Sequence, residues 1–199
     1  MENNKPKTKA KIKEVKTVWT EIFEWIDCIV LVVISMLLIF TFVFRHIEID
    51  GNSMNNTLLH KERVIVSNLF YTPKNGDIVV VSSEVYDHVP IIKRVIATEG
   101  QWVDIRGGKV YVGDSPNTLT ELNEEYINGQ YTVDIIANNL YGSHEYPLQV
   151  PENKVFLLGD NRAVSLDSRT TAIGLVDEGQ ILGKAIYRIY PFNKIGSIY

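Results

Sequence analysis

Ser53 stands in Ile49-Asp50-Gly51-Asn52-Ser53-Met54, and a serine hydroxyl becomes a useful nucleophile only when a neighbouring base takes its proton. The usual base is histidine, with lysine serving in a smaller group of enzymes. None of the four histidines, His46, His60, His88 and His144, stands in a motif that pairs it with Ser53. Gly51-Asn52-Ser53-Met54-Asn55 also lacks the closing glycine of a nucleophile elbow. Lys93 lies in the apolar run Ile91-Ile92-Lys93-Arg94-Val95-Ile96. Its amine can serve as a base only if burial lowers its pKa by several units from the ordinary value of roughly 10.4. On a strand Lys93 shares a face with Ile91 and Val95, and an inward face would desolvate the ammonium. If the face of Arg94 is the inward one, Lys93 points to water. Periodicity alone does not select Lys93, because lysines are rarely buried.

The elements that must position these residues are short. Beyond Arg45, runs rich in Val, Ile and Tyr alternate with Gly, Asn, Asp and Pro, which predicts an all-β body. Strands are expected at Arg45–Ile49, Arg63–Ser67, Asp77–Ser82, Val89–Thr98, Trp102–Ile105, Lys109–Val112, Val155–Leu158 and Ile181–Tyr190. Turns are expected at Lys74-Asn75-Gly76, Arg106-Gly107-Gly108 and Gly159-Asp160-Asn161. The pattern weakens over residues 117–152, with a lone strand pair at Tyr131–Ile136, so this stretch reads as a small β insert.

Cys28 to Phe44 is an uncharged apolar run, extended on its N-terminal side by Trp25 and Ile26, and it reads as one uncleaved membrane anchor over residues 26–44. Before it, Val15, Val18, Trp19, Ile22 and Phe23 recur at helical spacing, either as a juxtamembrane helix or as the first turns of the anchor. Residues 1–25 then form a basic tail with this helical stretch. Six lysines between Lys5 and Lys16 place the N-terminus in the cytoplasm by the positive-inside rule, and residues 45–199 outside. Ser53 follows Phe44 by nine residues, a tether that reaches at most about 30 Å from the bilayer edge. From Arg45 onward 14 Lys or Arg face 19 Asp or Glu, an acidic body with no footprint for nucleic acid. A single cysteine permits neither an internal disulfide nor a cysteine-rich zinc site.

Four ordered boxes carry a resemblance: Gly51-Asn52-Ser53-Met54-Asn55-Asn56-Thr57-Leu58; Gly76-Asp77-Ile78-Val79; Ile92-Lys93-Arg94-Val95-Ile96; and Gly159-Asp160-Asn161-Arg162-Ala163-Val164-Ser165-Leu166-Asp167-Ser168-Arg169. Together with Ile173-Gly174-Leu175-Val176 and Ile181-Leu182-Gly183-Lys184-Ala185 they resemble the type I signal peptidases, in order, across the anchor and nearly all of the β body. The sequence has Asn56 where that family usually has proline.

The resemblance implies a β architecture shared with self-cleaving repressors, and a serine endopeptidase that removes signal peptides at Ala-X-Ala-like sites. Carried over by position, Ser53 is the nucleophile and Lys93 the general base. Ser165 orients the lysine amine, and Asp167 and Arg169, with Asp160 and Arg162, form one charged network. Met54 supports the site, and the Ser53 backbone N–H serves the oxyanion, with Gly51 offering no hydroxyl beside it. No metal or organic cofactor is implied. The implied partners are preproteins and a lipid bilayer, with the chain acting as a monomer in a plasma membrane of Gram-positive type. Two other classes use related chains: a non-catalytic assembly factor for surface subunits such as pilins, and a self-cleaving repressor. Retention of Ser53 and Lys93 argues against the first; the anchor and the lack of a DNA-binding motif argue against the second.

Overall fold

Apolar side chains on every face make a helix that gains nothing from one buried stripe, and residues 18–43 form such a helix, α1 (Val18–Val43), in the computed structural model. The structure describes residues 18–82, 89–130, 132 and 144–199, with the backbone alone for 41–43. The predicted juxtamembrane stripe from Val18 onward and the predicted span are one continuous helix, while Phe44, expected at the end of the span, begins a strand. Val18–Phe40 is apolar and long enough to cross a membrane, and none of its most apolar window is buried. The chain divides into two units, Met1–Thr41 and Phe42–Tyr199, and among the described residues the strands all lie in the second.

The strands are β1 (Phe44–Glu48), β2 (Arg63–Ser67), β3 (Ile78–Ser82), β4 (Pro90–Ala97), β5 (Trp102–Arg106), β6 (Lys109–Gly113), β7 (Thr120–Glu121), β8 (Leu148–Gln149), β9 (Lys154–Leu158), β10 (Val176–Asp177), β11 (Ile181–Tyr190) and β12 (Gly196–Ser197). One sheet runs β1-β2-β11-β3-β4-β9-β10, with β12 beside β11; the second runs β7-β6-β5-β8. The body is thus mainly β, as expected. Residues 117–152 contain β7 and β8, yet their partners β5 and β6 precede that stretch, so the second sheet starts earlier than the predicted insert. The predicted strand pair at Tyr131–Ile136 lies outside the described residues except for Thr132.

Three apolar clusters explain the layering. Ile78 and Val80 of β3 pack with Val64, Val66, Met54 and Leu58, while Val79 and Val81 of the same strand pack with Val95, Leu157 and Ile181. Alternate residues of β3 therefore enter different clusters, and the strand is buried on both faces. The third cluster joins the sheets through Ile96, Phe156 and Leu158 on one side and Val103, Val110 and Val112 on the other. Between β5 and β6 the chain reverses through Gly107 (φ 59°) and Gly108 (φ 80°), the two positive-φ positions that a tight hairpin of this twist requires.

Candidate active site

Ser53 lies on the loop joining β1 to β2. The loop is closed at its base, where Ile49 N–H donates to the Glu62 carbonyl and Lys61 N–H to the Ile49 carbonyl, each at 2.8 Å. Met54 and Leu58 sink from it into the core, and full burial of side chains this size stabilises by about 1.5–3 kcal/mol each. Met54 therefore holds the turn by packing. Gly51, at φ 98°, donates its N–H to His60 Nδ1 at 3.2 Å, so a histidine reaches this loop through its backbone. Asn161 grips the same turn twice, its N–H donating to the Ser53 carbonyl at 2.9 Å and its Nδ2 to the Asn52 carbonyl at 3.1 Å. The Ser53 N–H donates to no group among the described residues.

Lys93 enters from β4, paired with Val79 of β3, and its Nζ is 2.9 Å from Ser53 Oγ. Every residue of β4 from Ile92 to Ala97 is buried, so the choice between a Lys93 face and an Arg94 face does not arise: Lys93 is 3% exposed and Arg94 7%. Burial pushes the Lys93 ammonium down to about 8, assisted by Arg169 and opposed by Asp167 and Asp160. The ammonium form donates to Ser53 Oγ; once one proton is lost, the amine lone pair can accept the hydroxyl proton across the same distance.

The charges expected to form one network pair off as three buried ion pairs, linked through the backbone, with Arg169 Nη2 donating to the Arg162 carbonyl at 2.9 Å. Arg94 forks onto Asp160, Nε to Oδ1 at 2.8 Å and Nη2 to Oδ2 at 2.7 Å, and the Thr57 hydroxyl also donates to that carboxylate. Arg169 forks onto Asp167, whose Oδ2 also accepts from Gly159 N–H at 3.0 Å. Arg162 turns to the other sheet's side, donating to Glu124 and Thr132, with its Nε on the Gly159 carbonyl at 3.0 Å. Buried guanidiniums each require a carboxylate of their own, which divides the cluster. Ser165 also departs from expectation: its Oγ is buried without a hydrogen-bond partner among the described residues and makes no bond to Lys93. It instead crowds Gly159, where a Cβ would also meet the Ser53 carbonyl oxygen at 2.5 Å.

Sequence reasoning passed over Arg94, Thr57, Glu124 and Tyr126 as site residues. Arg94 adjoins Lys93, and a second cation in an apolar run was itself a signal for a buried carboxylate. Glu124 and Tyr126 lie in the polar, acidic stretch read as insert and carried no local signal. Among the described residues, no group of three or more His, Cys, Asp or Glu could hold a metal ion. A cleft of about 450 Å³ opens at Ser53 and Lys93, walled by Ile47, Ile49, Ile91, Ile92, Val164 and Leu166. Its lining combines these apolar side chains with Glu48, Asp50 and Asn52 beside the serine and lysine.

Comparison with known proteins bears on this arrangement. The family described as signal peptidase, peptidase S26, matches residues 22–190. The signal peptidase I S of Bacillus subtilis (strain 168) is 35% identical over 181 residues, 87% of this chain and 92% of its own. The signal peptidase IB of Staphylococcus aureus (strain COL) is 34% identical over 184 residues, again 87% of this chain and 92% of its own. A solved signal peptidase I from Enterococcus faecalis is 27% identical, with a TM-score of 0.42, covering 57% of this chain and 97% of its own. With a family match that takes in most of α1, Ser53, Lys93 and the Gly159–Arg169 segment, and relatives this similar over most of both chains, the chain belongs to the signal peptidase, peptidase S26, family of serine endopeptidases.

Proposed function

We propose that this protein cleaves signal peptides from exported preproteins at Ala-X-Ala-like sites, with Ser53 as nucleophile and Lys93 as general base. The observation that carries the reading is the 2.9 Å approach of a buried lysine, pushed down to about 8, to the hydroxyl of a serine on a braced loop. Neutral Lys93 takes the Oγ proton as Ser53 attacks the scissile carbonyl. The oxyanion then receives the Ser53 N–H, which has no other partner among the described residues. Lys93 returns the proton to the leaving amine, and water later releases the acyl group by the reverse sequence.

The substrate lies as an extended strand along the cleft, where successive side chains alternate between wall and solvent. The two wall-facing positions before the cut take small residues, set against Ile91, Ile92 and Leu166 of the cleft. Asp167 with Arg169 and Asp160 with Arg94 brace the site. The protein spans a plasma membrane once through α1, with its N-terminus cytoplasmic and its β body outside, acting as a monomer. The test is cleavage of a precursor carrying an Ala-X-Ala site by the full-length protein in detergent. Activity is expected to vanish in both Ser53→Ala and Lys93→Ala. Retention of cleavage in either variant would refute the dyad.

A further inference from the structure

Two cations near the candidate site share one aromatic neighbour. The Arg94 guanidinium lies 3.9 Å from the centre of the Tyr126 ring, and that of Arg162 lies 6.0 Å from the same centre. Each has its own carboxylate, Asp160 for Arg94 and Glu124 for Arg162. Tyr126 is itself tied down, its hydroxyl donating to Glu124 Oε1 at 2.9 Å. Both arginines act on one short turn: Arg94 holds the side chain of Asp160, and Arg162 holds the Gly159 carbonyl. Directly after the two gripped residues comes Asn161, whose two donors fix the Ser53 and Asn52 carbonyls.

Asp160 and Glu124 are interchangeable partners for a guanidinium, so their assignment needs a physical reason. The Tyr126 ring neighbours both cations, closely at Arg94 and at the outer edge of cation–π range at Arg162, so its removal frees room beside each. Without the ring, Arg94 can swing toward Glu124 or Arg162 toward Asp160. Either exchange rotates the turn and displaces Asn161 from the Ser53 carbonyl.

We propose that Tyr126, anchored by Glu124, is a positioning residue for Ser53, acting through the 159–162 turn. The inference rests on the Ser53 and Lys93 reading and adds to it a part played by the segment between β7 and β8. A displaced carbonyl at Ser53 moves its Oγ relative to Lys93 and to the scissile bond while leaving the cleft walls in place, so the chemical step suffers and binding does not.

The test is steady-state cleavage of an Ala-X-Ala precursor by the full-length protein in detergent. Tyr126→Leu is expected to lower kcat by roughly tenfold to a hundredfold with KM changed by less than about threefold, the scale of a misplacement near 1 Å. Tyr126→Phe, which keeps the ring, is expected to recover kcat to within about threefold of the intact protein, consistent with loss of one hydrogen bond. An unchanged kcat in the Leu variant, or a loss confined to KM, overturns the proposal. If circular dichroism shows the Leu variant unfolded, Glu124→Gln decides: a drop in kcat of about fivefold supports the proposal and an unchanged kcat overturns it. If the intact protein cleaves no better than Ser53→Ala, the dyad reading fails, and this proposal with it. Failure of the Tyr126 and Glu124 arms alone leaves the dyad standing.

Discussion

The pH dependence of cleavage tests the chemistry most directly, because burial has set Lys93 at about 8 against an ordinary value of 10.5. If the neutral amine is the base, its population rises from about a tenth at pH 7 to about nine-tenths at pH 9. Cleavage, followed as kcat/KM in detergent, is then expected to rise about tenfold over that interval and flatten above it. A lysine at its ordinary value would give a rise of about a hundredfold over the same two units, with no plateau. Continued climb through pH 9 would refute the desolvation argument.

The same shift has a thermodynamic face. Between about pH 8 and 10.5 the unfolded chain binds more protons at Lys93 than the folded one, so stability rises with pH in that window. Below about 8 the whole cost is present, on the order of 3 kcal/mol. Lys93→Met keeps the volume and removes the charge, while losing one hydrogen bond to Ser53 worth about 1 kcal/mol. The variant is therefore expected to be more stable than the intact protein by about 2 kcal/mol at pH 7, an advantage that disappears toward pH 10.5. Denaturant titrations of both full-length proteins at several pH values measure it. A stability difference that does not change with pH would show that Lys93 is not held as a desolvated cation.

Three further outcomes are expected. Gly159→Ala puts a methyl group 2.5 Å from the Ser53 carbonyl oxygen, so kcat should fall by about tenfold or more while far-UV circular dichroism stays native. Asp160→Asn leaves the buried Arg94 without its paired charge, and the loss should be about 3 kcal/mol in denaturant, whereas Lys109→Gln at an exposed ion pair should cost less than about 1 kcal/mol. Asn56 sits at φ 86°, a conformation closed to proline, so Asn56→Pro should destabilise by more than about 1 kcal/mol while Asn56→Gly stays within about 1 kcal/mol of the intact protein.

The Asn56 result shows how a local reading meets its limit. Its place in the resemblance marks it as a departure from proline, and loss of a φ restraint follows from residue type. That the chain uses the freedom to enter positive φ beside Ser53 is visible only in the folded loop. Strands were legible for a similar reason of locality: alternation, β-branched residues and glycine turns report the backbone within a few positions. Val64 and Val66 of β2 obey one-face alternation and are buried as alternation requires. In β4 the same rule gives no answer, because both faces are covered, and burial there is continuous from Ile92 onward.

Residue types and short spacings alone establish an apolar segment long enough to span a membrane, a β-rich acidic body, and a serine and a lysine each set in a suggestive context. Those properties depend on neighbours in the chain. Which groups meet is a different matter: Lys93 reaches Ser53 across 40 positions, Arg94 reaches Asp160 across 66, and Arg162 finds Glu124 across 38. No periodicity encodes such partners. The pairing of buried charges and the placing of Tyr126 beside two arginines are decided by how the two sheets close. In a desolvated interior each ion must be matched by whatever group the fold brings within a few ångströms.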